Sequence, residues 1–252
     1  MNNKNNHTLD TGEVTIRKNG FLAWLDNFWY HYKWHSLIAL FLVFTVTICT
    51  LQMCKKESYD AHILYAGGHA FSRESRDGDF PEYNKAKLSL ERFTKDYDDN
   101  SKINISFRAL FVPSEDEMAN LEESQYQLAY SDRTALSNTM MSGDYFLCFF
   151  SPSVYESYKS VADAGDPSIF ADLSYFVSDG IDVTYYDDEK TAIYLSSTPF
   201  YTLSGISGMP EDTLICLRNT TFSSHLNKKA NDKAFNKSKE ILTKILAYQT
   251  AN

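Results

Sequence analysis

The pattern of hydrophobic positions divides the chain into one long apolar stretch near the N-terminus and a longer region of short apolar runs. From Ser36 to Met53 the sequence SLIALFLVFTVTICTLQM carries no charged side chain. A helix rises about 1.5 Å per residue, so this stretch nearly covers a hydrocarbon core about 30 Å thick. We therefore expect residues 36–53 to cross a membrane once.

The segment before this stretch has a different pattern. In FLAWLDNFWYHY, residues 21–32, the apolar and aromatic side chains recur at the spacing of one helical face. Tryptophan and tyrosine favour the headgroup zone of a bilayer, so we expect an interfacial amphipathic helix over residues 21–35. The alternative is that this face packs on another protein. Residues 1–20 are polar and are expected to form a disordered cytoplasmic tail.

The region from 58 to 250 has the pattern of a folded domain. Apolar runs that predict strands are AHILYA (61–66), INISFRALFV (103–112), YFLCFF (145–150), TAIYLS (191–196) and TLICLR (213–218). Helices are expected over about 80–97, 114–121, 131–144, 152–161 and 230–248, with Ser114 as an N-terminal cap. Because strands alternate with helices, the fold class is α/β, a single layered domain that follows one transmembrane helix.

Charge is distributed unevenly along the chain. Of 24 Lys and Arg and 33 Asp and Glu, six basic and three acidic side chains lie in residues 1–56. The remainder holds 18 basic and 30 acidic side chains, a net charge of −12. A field of this sign repels phosphate backbones, so we expect no nucleic-acid partner. Solubility accounts for the acidic excess, and an acidic docking surface is the alternative.

The flanking charges do not decide the orientation of the transmembrane helix. Three basic residues lie on each side of it, Arg17, Lys18 and Lys33 before it and Lys55, Lys56 and Arg73 after it. A long C-terminal domain is translocated largely regardless of its charges. We therefore expect a single-pass protein of the cell membrane, with the N-terminus in the cytoplasm and the α/β domain outside.

Several segments of the domain resemble a known family. The order LSNTMMSGDYFLCFF, then Phe170-Ala171-Asp172-Leu173, then TAIYLSSTPFY, TLICLRNTT and KAFNKSKEILTKIL resembles the extracellular solute-binding proteins of the type II periplasmic-binding fold. The resemblance covers most of residues 58–250 and implies one lobe of that fold. The chain has room for one lobe only and carries an anchor in place of a lipoprotein signal, so it resembles a truncated, membrane-tethered form.

Candidate contact residues follow from the placement of glycines after a strand. Gly67-Gly68-His69 directly follow the first predicted strand, where α/β sheets place their ligand crevice. With residues beside the neighbouring buried strand, the expected ligand- or partner-binding set is Tyr65, Gly67, Gly68, His69, Asp144 and Tyr145. The alternative for Gly67-Gly68 is a plain turn.

Catalytic and metal-binding motifs are incomplete in this sequence. Gly205-Ile206-Ser207-Gly208 lacks the GxSxG spacing of a hydrolase nucleophile. Residues 96–100, DYDDN, lack the sixth-position glycine and the distal glutamate of a calcium loop. His62, His69 and His225 have no partners at the helical spacing of a zinc site. We therefore expect no enzyme activity, no metal and no cofactor.

The sequence predicts a membrane-anchored, extracytoplasmic binding or recognition module that is not an enzyme. The alternative is an accessory or scaffold subunit of a membrane protein complex with no small-molecule ligand. The expected partners are the lipid bilayer and a membrane protein, and no ligand follows from the residues. Cys148 and Cys216 each lie in a predicted buried strand. We expect two buried free thiols, and the alternative is a disulfide between them if the domain lies outside the cell.

Overall fold

The computed structural model describes residues 20–54, 58–72, 81–160, 168–178, 180–220 and 228–249. The chain separates into two compact units, Met1–Glu57 and Ser58–Asn252. The predicted N-terminal tail falls almost entirely outside the described residues.

The first unit contains one uninterrupted helix, α1, from Gly20 to Cys54. The stretch Asn27–Leu51 within it is long and apolar enough to cross a membrane. The predicted interfacial helix 21–35 and the predicted span 36–53 are thus consecutive parts of one helix. The physical reason is that no glycine or proline after Gly20 interrupts the helix as far as Cys54.

The polar side chains within the apolar part of α1 are satisfied by the helix itself. The hydroxyls of Thr45, Thr47 and Thr50 each donate to the carbonyl four residues earlier, at 2.7–2.8 Å. In hydrocarbon an unsatisfied hydroxyl would cost several kcal/mol. These threonines are therefore compatible with a span.

The second unit is built on a mixed five-stranded sheet, which confirms the α/β class. The strand order is β2-β1-β3-β5-β4, where β1 is parallel to β2 and β3, and β5 is antiparallel to both of its neighbours. The strands are β1 (Ala61–Gly67), β2 (Ile105–Phe111), β3 (Leu147–Phe150), β4 (Ala192–Tyr194) and β5 (Leu214–Leu217).

Helices cover both faces of this sheet. The helices are α2 (Glu82–Glu91), α3 (Glu115–Met118), α4 (Glu123–Ser142), α5 (Pro152–Lys159) and α6 (Lys228–Leu246). Side chains of α2 and α6 pack with Ile63 and Tyr65 of β1, whereas those of α4 and α5 pack with Leu64 and Ala66. Because both faces are buried, β1 and β3 are continuous apolar runs rather than alternating ones.

The chain reverses its direction across the sheet at β1. The connection through α2 leads from β1 to β2 on one side of it, and the connection through α4 leads back to β3 on the other side. The helices of the two connections lie on opposite faces. In open α/β sheets the carboxyl ends of the strands at such a reversal form a crevice that binds ligands. Here this crevice lies at the ends of β1 and β3.

Two predicted helices have different bounds in the structure. The helix expected over 80–97 spans only Glu82–Glu91, because a turn follows in which Asp96 accepts the backbone N–H of Ser101 at 2.6 Å. The helix expected over 131–144 begins earlier, at Glu123. Its predicted end is confirmed, since Gly143 caps it in the left-handed conformation with φ 77°.

The remaining elements follow the predicted pattern with shorter ends. The capping box of α3 is present, because Ser114 and Glu117 each accept the other's backbone N–H. The expected strand 145–150 begins at Leu147 and the expected strand 191–196 is β4 alone. The motif Phe170–Leu173 leads into a 3₁₀ turn, Leu173–Phe176.

Candidate functional site

The carboxyl end of β1 is held together by a buried tyrosine. Tyr65 is 1% exposed, and its hydroxyl accepts the backbone N–H of His69 at 3.1 Å. Burial raises the pKa of Tyr65, and the carboxylates of Asp212, Glu117 and Glu82 raise it further. Tyr65 is therefore a neutral part of the core that shapes the loop after β1, and its side chain is not available for contact with a partner.

His69 is the member of the predicted set that faces both the loop and the solvent. Its Nε2 lies 2.9 Å from Oε1 of Glu82, in the first turn of α2, and both side chains are about one-quarter exposed, at 23% and 28%. The ring also contacts Phe71, with the ring centroids 4.8 Å apart. His69 is thus fixed by two neighbours and presents part of its ring at the surface.

Gly67 and Gly68 make room for side chains of this chain rather than for a ligand. A Cβ atom at Gly67 would lie 2.9 Å from the Tyr65 hydroxyl oxygen. A Cβ atom at Gly68 would lie 3.0 Å from both carboxylate oxygens of Glu117 in α3. A side chain at either position would require Tyr65 or Glu117 to shift, so the loop packs closely against β1 and α3. This supports the alternative of a plain, tightly packed turn.

The structure separates Asp144 and Tyr145 from the other predicted residues. Both precede β3, so they lie at the amino edge of the parallel strands, whereas Gly67 and His69 lie at the carboxyl edge. The Tyr145 hydroxyl lies 3.0 Å from Oγ of Ser106, near the start of β2. The length of β1, about 20 Å, divides the two groups. The six residues therefore do not form one site.

A groove that the sequence did not predict lies near the carboxyl edge, between α4 and α5. Its volume is about 560 Å³, and it opens to solvent. Asp132 of α4 accepts the backbone N–H of Phe111, the last residue of β2, at 2.8 Å. Since α4 begins at Glu123, its first turns extend past this edge, and the groove is lined by the turns that follow, with Arg133, Leu136 and Ser137. No local sequence signal marks the groove, because three separate segments form it: residues 112–115 after β2, α4 and α5.

A second feature lies at the amino edge, where the carboxylates of Asp60, Asp96 and Asp98 all have oxygen atoms within 4.8 Å of one another. Oxygen ligands at this spacing can hold a hard cation such as Ca²⁺. However, Asp60 already accepts the N–H groups of Tyr97 and Asn104, at 2.7 and 2.9 Å. The cluster therefore has a structural role, which is to fix the turn between α2 and β2.

Comparisons of this chain with protein-family models, with curated proteins and with solved structures found no match. The resemblance to solute-binding proteins therefore stays a prediction that rests on the quoted segments.

Proposed function

We propose that this protein is a membrane-anchored recognition module whose α/β domain lies outside the cytoplasm and binds a macromolecular partner at the carboxyl edge of its sheet. It is not an enzyme in this proposal. The support for the anchor is the composition of α1, in which Asn27–Leu51 is long and apolar enough to span a bilayer. The support for the outside location is the resemblance to extracellular solute-binding proteins.

The observation that carries the proposal is the filling of the carboxyl edge at β1 by the chain's own side chains. Tyr65 and Glu117 occupy the space beside Gly67 and Gly68, and His69 is engaged by Glu82. High affinity for a small solute usually requires a site that encloses about 70–90% of the ligand surface. The filled part of the edge beside β1 offers a surface instead, which suits a larger partner.

Tethering reduces the affinity that such a partner needs. A domain anchored in the same bilayer as its partner meets it at a high effective concentration, in the millimolar range for short linkers. A weak surface contact around His69 is then sufficient for recognition. The acidic domain, with a net charge of −12 after residue 56, also keeps non-specific association low.

Site-specific photo-crosslinking in native membranes tests the proposal. A photoreactive amino acid at Ala70, which is exposed beside His69, is expected to give a discrete crosslinked product. The matched control is Lys102, which is exposed at the amino edge and is expected to give no such product. Loss of the Ala70 product in the variant His69→Gln would assign the contact to this edge.

Two results would contradict the proposal. One is equal crosslinking from Ala70 and Lys102. The other is a small sugar, amino acid or peptide that the purified full chain binds at micromolar affinity or better, with binding lost on His69→Ala. The second result would restore solute recognition. Tyr65→Ala is unsuitable for this purpose, because removing a buried aromatic side chain costs about 3–5 kcal/mol of stability.

A second candidate function is that of an accessory subunit of a membrane protein complex. The observation that favours it is a row of stacked rings on α1, formed by Phe21, Trp24, Phe28 and Tyr32, with neighbouring centroids 5.3–6.1 Å apart. This face is a surface on which another membrane helix can pack. Crosslinking from position 24 but not from position 70 would favour this function.

A further inference from the structure

The first turns of α6 concentrate positive charge in an otherwise acidic domain. Residues 228–238 contain one acidic side chain and four basic ones, Lys228, Lys229, Lys233 and Lys237. The domain after residue 56 has a net charge of −12, so these turns oppose its overall charge. A local excess of positive charge at a surface attracts anions even when the net charge of the domain is negative.

Three of these lysines line one concave surface, which we call the lysine pocket. Its volume is about 450 Å³, and its lining residues are Tyr97, Lys229, Lys233, Asn236, Lys237 and Glu240. Lys229 and Lys233 are exposed and make no ion pair with any residue that the structure describes. Ammonium groups without carboxylate partners keep their donors available for an anion.

Of the described residues that line the lysine pocket, only Glu240 is acidic. Its carboxylate pairs with Lys95 at 2.8 Å and with Lys244 at 3.1 Å, and it accepts the hydroxyl of Tyr97 at 2.9 Å. The hydrogen bonds from these three residues lower the pKa of Glu240 to about 2. Because Lys95 and Lys244 compensate Glu240 from outside the lining, the three pocket lysines remain in excess.

The lysine pocket lies at the amino edge of the sheet. Lys237 donates from its Nζ to the carbonyl of Asp60, the residue before β1, at 2.7 Å. The ring of Phe235 contacts that of Phe146, the residue before β3, with the centroids 5.7 Å apart. Ser238 is the first buried residue of α6, so the turns before it are largely exposed beside this edge.

Two carboxylates of the same edge face Lys237. Burial lowers the pKa of Lys237 and the positive charge of Lys233 lowers it further, whereas Asp60 and Asp98 act in the opposite direction. Asp60 accepts two backbone N–H groups, and Asp98 accepts one backbone N–H and one hydroxyl. These carboxylates therefore offset part of the charge of Lys237, while the two exposed lysines of the pocket form no ion pair with either.

The amino edge is also where the chain enters the domain. From Cys54, the last residue of α1, the chain advances six residues to Asp60. A fully extended chain of that length spans at most about 22 Å. In a membrane-anchored chain, the amino edge therefore stays close to the bilayer surface, whereas the carboxyl edge is not held in this way.

We infer that the lysine pocket binds the phosphate groups of anionic lipids in the bilayer that holds α1, so that the amino edge of the domain docks on the membrane surface. Charge complementarity and the short connection both favour lipid as the occupant. Each lysine near an anionic surface contributes about a fivefold factor to such a docking equilibrium. The inference rests on the anchor of the proposed function and goes beyond it, because it holds for either orientation of the chain and leaves the carboxyl edge free for a partner.

Quenching of a fluorophore by spin-labelled lipid headgroups tests the inference in nanodiscs that hold the full chain. The fluorophore is attached at Ala230→Cys, an exposed position of α6, with Cys49 and Cys54 replaced by serine. We expect stronger quenching in equal parts of phosphatidylglycerol and phosphatidylcholine than in phosphatidylcholine alone. Salt at about 1 M should abolish the difference, because the Debye length falls to about 3 Å. A fluorophore at Ala70→Cys, at the carboxyl edge, should be unquenched in both lipids.

Two double variants with the same change of charge make the result specific. Lys229→Gln combined with Lys233→Gln is expected to lower the ratio of docked to undocked domain by about 25-fold, since two lysines are lost from the lipid contact. Arg108→Gln combined with Arg133→Gln removes two exposed positive charges outside the pocket and is expected to leave the ratio unchanged. All four side chains are exposed, so both double variants should keep the fold.

The possible failures are distinguishable. Equal quenching at position 230 in the two lipid compositions, or an equal loss in the two double variants, would overturn the docking and leave the proposed function standing. A full chain that does not copurify with nanodiscs of either composition would contradict the anchor, and the inference with it. Quenching at position 70 rather than at position 230 would mean that the opposite edge of the sheet docks.

Discussion

At the scale of single residues, Asp187 ties the last turn of α5 to the segment before β4. Its Oδ2 accepts from Tyr155 at 2.6 Å and from Lys159 at 2.8 Å, and its Oδ1 accepts the backbone N–H of Thr191 at 2.9 Å. Burial alone would raise the pKa of Asp187, but the hydrogen bonds from Lys159, Tyr155 and Thr191 lower it to about 2. This carboxylate therefore stabilises the folded domain while it is ionised.

We predict that Asp187→Asn lowers the free energy of unfolding at pH 7 by about 2 kcal/mol, since it weakens hydrogen bonds to a charged group. The folded pKa of about 2 lies below the unfolded value of about 3.9, so this stability is complete above about pH 5 and is lost as the pH falls towards 2. Denaturation followed by circular dichroism should show the difference between variant and wild type narrowing over that range.

The neighbouring exposed residue provides the control for this prediction. Asp188→Asn removes the same charge from the same turn and is expected to change the free energy of unfolding by less than about 0.5 kcal/mol. If the two variants lose equal stability, or if the difference for Asp187→Asn persists at pH 2, the role given to Asp187 is wrong.

Cys148 and Cys216 lie directly opposite each other on β3 and β5, and both are buried, free thiols in the structure. The backbone N–H of Arg218 donates to the carbonyl of Phe146, so residues 146 and 218 form a hydrogen-bonded pair of the antiparallel ladder. Every second pair along such a ladder is hydrogen-bonded, so residues 148 and 216 form a hydrogen-bonded pair as well. In such pairs the Cβ atoms are about 5.5 Å apart, whereas a disulfide requires about 3.8 Å.

We predict that both thiols stay reduced even if the domain folds outside the cytoplasm. Burial raises the pKa of Cys148 to about 12, with Arg218 opposing the shift, so the reactive thiolate is scarce at neutral pH. When the protein is denatured and alkylated without a reductant, mass spectrometry should find both residues alkylated. A mass that is lower by two hydrogens in the peptide pair would establish the disulfide instead.

At the scale of elements, α2 packs against a glycine in the loop between β4 and β5. Gly205 has φ 81°, and a Cβ atom there would overlap the backbone of Lys85 and Ala86. We predict that Gly205→Ala destabilises the domain by more than about 3 kcal/mol, because backbone strain and a clash with α2 add together. Thermal unfolding of the purified full chain measures the effect.

Gly180 is the matched control for this packing. It has φ 89°, but nothing lies within 4 Å of the position that its Cβ atom would occupy. Gly180→Ala should therefore show the strain alone, about 1–2 kcal/mol. Equal effects of the two substitutions would mean that the contact of Gly205 with α2 contributes nothing.

How far an element could be predicted from the sequence depended on its environment. β1 and β3 were predicted because both of their faces are buried, which produces apolar runs such as AHILYA. The start of α4 was not predicted, because its first turns extend past the sheet and carry the exposed residues Tyr126, Leu128 and Tyr130, without an apolar face. The end of α2 was missed because side chains of the turn that follows it, rather than a glycine or proline, determine the backbone there.

The placement of the predicted contact residues agreed with the structure only where it followed from the order of a strand and its loop, and their role in binding stays a prediction. Gly67 to His69 lie at the carboxyl edge as expected, since they directly follow β1. Asp144 and Tyr145 precede β3, and the residue that follows this parallel strand is Ser151, so the opposite edge could have been inferred. The groove and the burial of Arg218 depend on contacts between distant segments, which no local pattern encodes.

At the scale of the whole molecule, the proposed function requires α1 to separate the N-terminal tail from the α/β domain. A single span with this arrangement places the two on opposite sides of the bilayer. The flanking charges are equal in number, so the sequence does not set the direction. The proposed contact with an extracytoplasmic partner holds only if the domain is outside.

Labelling with a membrane-impermeant maleimide tests this claim most directly. In a background in which Cys49 and Cys54 are replaced by serine, a cysteine is introduced by Tyr175→Cys, at a side chain that is 84% exposed, or by Asn5→Cys in the N-terminal tail. Buried Cys148 and Cys216 remain unreactive in both. We expect the Tyr175→Cys variant to be labelled in intact cells and the Asn5→Cys variant to be labelled only after lysis. Labelling of Asn5→Cys alone in intact cells would contradict this expectation.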